Sequence, residues 1–285
     1  MSAKYTIKKI ISLIKSELNN YYPLPEINSF IHLIFKHYFN YSQTQIHLKQ
    51  EEIINDYLAT QLLSDIKALK KYKPIQYILG HTEFYNLPIR ITPGVLIPRP
   101  ETEELVDWII AENKNHFYKI ADIGTGSGCI AISLAKNLNS SVYALDNSTD
   151  ALSIARQNSK LNNVELHISL FDIFNSQHPP EEAFDIIVSN PPYVTEKEKR
   201  LMEPNVLNYE PEEALFVPDH DPLLYYRAIT DFALNHLNRG GKLYFEINEN
   251  YGEETAILLE EKNFRNIELK KDINGKNRMI RGIFK

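Results

Sequence analysis

The sequence lacks most of the features that would assign it to a special class. A single cysteine, Cys129, cannot close an internal disulfide. No run of about 18 apolar residues offers a membrane span. Lys4, Lys8 and Lys9 stand near the start, but Ser12 and Lys15 break the apolar positions that follow, so no signal-peptide core forms. These absences predict a cytoplasmic protein, with no membrane association, whose first residues belong to the fold. Nine histidines occur without an H-x-x-x-H spacing or a cysteine partner, so no metal site is expected. Ser127 and Ser189 have no convincing histidine and acid partners, which argues against nucleophilic serine catalysis. There is no internal repeat and no low-complexity tract.

What is present is enough for a full-sized core. With 43% hydrophobic and 24% charged residues over 285 positions, the chain should form one large domain and a small one. The net charge of −6 is unevenly spread: residues 1–75 hold 10 Lys against 6 acidic residues, and the remainder 21 basic against 31 acidic. A broad nucleic-acid-binding surface is therefore not expected. The positive balance at the N-terminus reads either as a partner surface or as lysines solvated on helix faces.

Three apolar stripes at helical spacing occupy the first third of the chain: Ile7, Ile10, Ile11, Ile14 and Leu18; Ile27, Phe30, Ile31 and Ile34; Ile54, Tyr57, Leu58 and Leu62. This stretch shows no strand-like alternation and no catalytic constellation, so residues 1–75 are expected to be an all-helical docking domain. β-favouring residues in Gln76–Gly80 and Leu87–Ile91, around Asn86 and before Pro93-Gly94, suggest a hairpin linker over residues 76–97. From residue 98 to 285, β-rich runs at 118–123, 141–145, 165–170, 184–189, 241–247 and 279–284 alternate with helical stretches. That alternation predicts an α/β, Rossmann-like sheet with helices on both faces.

The strand at 118–123 runs into Gly124-Thr125-Gly126-Ser127-Gly128 and then a helix. The glycines let the backbone turn tightly and approach a ligand. Their alternate spacing differs from the G-x-G-x-x-G dinucleotide fingerprint, and Asp122 at the strand end is poor company for a pyrophosphate. S-adenosylmethionine suits such a loop, because its sulfonium and ammonium meet a carboxylate while its one carboxylate meets free backbone N–H groups; a tight turn with no ligand is the other reading. The next strand ends at Asp146, where doubly wound folds place an acid that accepts ribose hydroxyls; the alternative is a helix N-cap shared with Ser148 and Asp150. Asp172 is placed to accept from the adenine amine, with Ile173 as a wall, or is a plain loop acid.

The most informative segment is Asn190-Pro191-Pro192-Tyr193, directly after the strand at 184–189. The prolines hold the backbone extended and donate no N–H, which leaves a stiff, acceptor-rich lip at the carboxyl end of the sheet. An amide nitrogen is a poor nucleophile until it is oriented. The Asn190 side-chain oxygen and the Pro191 carbonyl can each accept one N–H and aim the lone pair at a methyl group, with Tyr193 stacked on the amide plane. Asn190 is thus expected beside both cofactor and substrate. No general base is needed before attack, because the nitrogen becomes acidic once alkylated. A Pro-Pro strand stop after an Asn turn is the structural alternative.

Taken together, Pro74–Gly80, Val95–Glu103 with its Leu-Ile-Pro-Arg-Pro-Glu-Thr-Glu run, Asp122–Gly128 and Asn190–Tyr193 resemble the release-factor glutamine methyltransferases, as do Glu210-Pro211, Ala214-Leu215, Gly240-Gly241 and Glu246-Ile247. The resemblance implies a helical domain that docks peptide chain release factors, a hairpin linker and a seven-stranded class I methyltransferase sheet. It also implies methylation of the glutamine in a Gly-Gly-Gln tripeptide, with Gly124, Gly126, Gly128 and Asp146 on the cofactor and Asn190 to Tyr193 on the glutamine. Asn248 departs from the glycine usual after Glu246-Ile247, and the helical domain matches weakly. A monomer is expected. The competing reading is an exocyclic-amine methyltransferase acting on a flipped base, which would use the same lip but lacks a basic groove. A fold retained without turnover is a third, opposed by the intact loop, acid and lip.

Overall fold

The structure, a computed structural model, describes residues 5–175 and 180–285, so residues 1–4 and 176–179 within the expected domain ranges lie outside it. Two compact units divide the chain: residues up to Gly80 with Pro204–Tyr209, and His81–Glu203 with Glu210–Lys285.

The first unit is built on helices Ile7–Leu18, Leu24–Phe39, Gln43–Leu48, Asp56–Leu69 and Ile75–Leu79. Thr6, Ser42 and Asn55 cap three of them by accepting backbone N–H groups that the first turn leaves unpaired. The expected stripes form its core: Ile7, Ile10, Ile14 and Leu18 pack with Ile27, Phe30, Ile31 and Ile34, and with Leu62. Three details differ from the sequence reading. Tyr5–Thr6 pairs antiparallel with Ile53–Ile54, so Ile54 belongs to a small β-bridge. Tyr57 is 72% exposed, off the buried stripe. Gln76–Gly80 is no strand: Pro74 precedes the turn Ile75–Leu79, and Gly80 ends it in the left-handed conformation.

The second unit opens with the hairpin His81–Phe84 and Leu87–Arg90, whose turn residues Tyr85 and Asn86 both have positive φ, as a two-residue turn between twisted strands requires. The hairpin docks on the same unit, because the Asn158 amide accepts from Arg90 N and donates to the carbonyls of Arg90 and Ser127. The main sheet has strands β1 (Tyr118–Ile123), β2 (Ser140–Asp146), β3 (His167–Leu170), β4 (Phe184–Ser189), β5 (Leu237–Glu246), β6 (Phe264–Lys271) and β7 (Asn277–Phe284). Their order is β6-β7-β5-β4-β1-β2-β3, with only β7 antiparallel to its neighbours. Five longer helices cover it: Pro100–Glu112, Cys129–Asn137, Thr149–Leu161, Leu224–His236 and Gly252–Glu261. The strands adjoining the centre, β1 and β4, carry buried apolar runs, Ile120-Ala121 with Ile123 and Ile186–Val188, as strands covered on both faces do. β1 leads on to β2 on one side and β4 lies on the other, so the order reverses between them and opens a crevice at their carboxyl ends. This is the seven-stranded sheet that the resemblance implied.

β6 was not among the expected strands. A register shift between Arg265 and Glu268, with Asn266 at φ 49°, breaks the alternation of Phe264, Ile267 and Leu269 that would have marked it. Among the described residues, no helix is long and apolar enough to cross a membrane, and no group of three His, Cys, Asp or Glu side chains could hold a metal.

Candidate active site

A cavity of about 170 Å³ lies at the carboxyl ends of β1, β2, β3 and β4, within the second unit. Every strand end contributes. Gly124 and Gly126 come from the turn after β1, Asp146 from the end of β2, Asp172 and Ile173 from the segment after β3, and Asn190, Pro191 and Pro192 from the lip after β4. The Ser189 hydroxyl donates to the Ile123 carbonyl at 2.6 Å and so ties the root of the lip to β1.

The glycine turn follows from backbone geometry. Gly124 and Gly126 have φ of 72° and 54°, which L side chains rarely adopt. Four of its N–H groups are already engaged, contrary to expectation: Gly124 N and Thr125 N both donate to the Leu145 carbonyl, Gly126 N to Asp146 and Gly128 N to the Thr125 carbonyl. The turn is held mainly by the end of β2, with one bond of its own. Asp122 is fully buried and does not line the cavity. Its Oδ2 accepts from the Thr125 hydroxyl at 2.7 Å and from Ala131 N at 3.2 Å, while Oδ1 has no hydrogen-bond partner among the described residues. Burial therefore pushes its carboxyl up to about 7. Thr125, Ser127 and Gly128 do not line the cavity: Thr125 braces Asp122, the Ser127 carbonyl receives Asn158, and Gly128 starts the helix Cys129–Asn137.

Asp146 does line it. Oδ2 accepts Gly126 N at 2.8 Å and Oδ1 accepts Ser148 N at 2.9 Å, which locks the carboxylate between the glycine turn and the next helix. Ser148, whose side chain accepts from Ala151 N, is the helix cap, so Asp146 is not. Burial raises the Asp146 pKa against the pull of those backbone bonds. Asp172 accepts Phe174 N at 2.9 Å, and Phe174 meets Tyr225 edge-on at 5.0 Å across the apolar end of the cavity. Three lining side chains are acidic (Asp146, Asp172, Glu213) and none is basic, so the cavity favours a cationic ligand and disfavours a polyphosphate.

The lip differs from expectation at Tyr193. Its ring packs into the core and its hydroxyl donates to the buried Glu246 at 3.0 Å, so it is absent from the cavity wall and offers no stacking face there. Burial, with Glu246 beside it, drives that hydroxyl's pKa well upward. Two further segments line the cavity that residue-level reasoning did not assign to it. They are Gly94–Leu96 and the run of Pro211, Glu213 and Ala214. Glu210 clamps them together, accepting from Arg99 at 2.6 Å and from Ile97 N at 3.3 Å. The Leu-Ile-Pro-Arg and Glu-Pro runs in the sequence were their only signal.

Known proteins resemble this chain in sequence and in fold. Residues 102–208 match the methyltransferase small domain family and residues 11–80 the PrmC N-terminal domain family. The chain is 49% identical over 267 residues to a release factor glutamine methyltransferase of Flavobacterium psychrophilum, covering 91% of this chain and 93% of the relative. It is 44% identical to the protein of that name from Bacteroides thetaiotaomicron, covering 96% and 99%. Among solved structures, a methyltransferase from Pyrococcus furiosus superposes with a TM-score of 0.53 at 17% identity over 80% of this chain and 98% of that one, a likeness of fold.

Proposed function

The chain belongs to the release factor glutamine methyltransferase family, and on that premise we propose how its site carries a methyl group from S-adenosylmethionine to the side-chain amide nitrogen of the glutamine in the Gly-Gly-Gln motif of release factors. The observation that carries the reading is the joining of the Asn190-Pro191-Pro192 lip and the Gly124–Asp146 corner in one acid-lined cavity. Bound there, S-adenosylmethionine supplies an electrophilic methyl group on a sulfonium. Asp146 would hold the ribose hydroxyls, Asp172 and Ile173 the adenine, and Gly124 and Gly126 would admit the ligand close to the backbone. Asn190 Oδ1 and the Pro191 carbonyl would accept the two amide hydrogens, which points the nitrogen lone pair at the methyl and stabilises the positive charge that grows there. Tyr193 would act through Glu246 and not by stacking.

In the same reading, residues 1–75 dock the protein substrate, since they hold no candidate catalytic group, and residues 76–97 connect them to the methyltransferase domain at 98–285. The enzyme would act as a monomer, and in the cytoplasm, where release factors meet the ribosome. Incubation with labelled methyl donor and either a release factor or DNA is the test. Label on the Gly-Gly-Gln glutamine, read by peptide mass spectrometry, is the expected result; label on DNA alone would overturn it.

A further inference from the structure

Asn190 can hold a substrate amide only if its own amide faces the right way, and the structure contains a device that decides this. Asn190 Nδ2 lies 3.2 Å from the Thr102 hydroxyl, which donates to Glu246 Oε2 at 2.6 Å; Glu246 Oε1 accepts from the Tyr193 hydroxyl at 3.0 Å. Thr102 is 2% and Glu246 1% exposed, and neither lines the cavity. We infer that Thr102, backed by Glu246, is a positioning residue that turns the Asn190 side-chain oxygen toward the substrate.

A hydroxyl has one hydrogen. A carboxylate at 2.6 Å takes it in preference to a neutral acceptor, because the charge-assisted bond is stronger. Toward Asn190, Thr102 then has only lone pairs to offer. The –NH2 end of Asn190 must face it, and the carbonyl end is turned away. The flipped amide would set oxygen against oxygen at Thr102 and present a donor to the donor N–H groups of the substrate glutamine. The polarity is set one step further back: a carboxylate that accepts from Thr102 on one oxygen and from Tyr193 on the other has no hydrogen to return. This explains why Tyr193 points inward, where it satisfies the second oxygen of a buried acid. The device joins helix Pro100–Glu112, β5 and the lip, elements that are far apart in the chain.

The inference rests on the reading of Asn190 as the glutamine-holding residue, and a double-mutant cycle separates the two. Single-turnover methylation of a release factor is measured at saturating cofactor for wild type, Thr102→Val, Asn190→Ala and the double variant. Thr102→Val keeps the shape and removes the hydroxyl. It should slow the step at least about tenfold, a barrier of about 1.4 kcal/mol. Calorimetric affinity for S-adenosylhomocysteine should stay within about twofold, as expected for a residue outside the cofactor subsite. Thr102→Ser should restore the rate. On the Asn190→Ala background the Thr102 change should add less than about twofold, because its effect runs through a side chain no longer present. A wild-type rate for Thr102→Val beside a slow Asn190→Ala, or fully additive losses, would overturn the inference alone. A wild-type rate for Asn190→Ala would overturn it together with the reading beneath it. If Thr102→Val does not fold with Glu246 Oε2 left unpaired, Thr102→Ala, which leaves room for a water at that oxygen, carries the same cycle.

Discussion

Asp146→Ala puts the cofactor assignment at risk most directly. Each Asp146 oxygen already accepts one backbone N–H, from Gly126 on Oδ2 and from Ser148 on Oδ1. A carboxylate oxygen accepts about two hydrogen bonds. One position therefore remains on each, a match for the two vicinal hydroxyls of a ribose. Hydrogen bonds to a charged group contribute about 1.5–3 kcal/mol each, so losing both removes at least about 3 kcal/mol, or about a hundredfold in Kd. The alanine also leaves the Gly126 and Ser148 N–H groups without their acceptor, which should lower the Tm of the free protein. Isothermal titration with S-adenosylhomocysteine measures the first effect and a thermal melt the second. Asp146→Asn should not rescue binding, because its –NH2 would confront one of the two backbone donors. Burial raises the Asp146 pKa, so wild-type affinity should begin to fall, as the pH is lowered, at a higher pH than an exposed aspartate would give. An alanine variant that binds within about threefold of wild type, under 1 kcal/mol, would remove Asp146 from the cofactor site.

Asn190→Ala should slow single-turnover methylation at least about a hundredfold, near 3 kcal/mol, as for loss of one preorganised polar contact; a rate within about threefold of wild type would exclude the lip from the chemistry. Asp122 titrates near 7 when folded and near 4 when unfolded. Its contribution to stability is therefore complete below the lower value and lost as the pH rises through the higher one, by up to about 4 kcal/mol. Asp122→Asn, which keeps an acceptor for Thr125 and Ala131, should flatten the dependence of Tm on pH across that window and raise Tm above neutrality; an unchanged slope would show that Asp122 is ionised throughout. A chain starting near Lys73 should bind cofactor normally, because the cavity draws on the second unit alone. It should lose kcat/KM for a release factor; an unaltered value would end the docking role of residues 1–75.

Where the deciding physics is local, the sequence determined the outcome by itself. The stripes of Ile7–Leu18 and Ile27–Ile34 became core because residues three and four apart share a helix face. The runs at 118–123 and 184–189 became central strands because strands covered on both faces tolerate little but apolar side chains. The glycine turn, the acid closing β2 and the proline-stiffened lip all depend on φ preferences and strand ends, so their meeting at one crevice followed once the sheet was parallel. Position relative to residues far along the chain was another matter. No pattern near Tyr193 says that it will satisfy Glu246 instead of facing the cavity, and nothing near Asp122 says that it will be sealed beneath the turn while Asp146 lines the wall. β6 stayed hidden because a bulge at Asn266 put its alternation out of step. Thr102 reads as an ordinary helix residue until the fold sets it against a buried carboxylate 144 positions away. A single hydroxyl hydrogen has one direction, and only the tertiary structure decides which acceptor receives it.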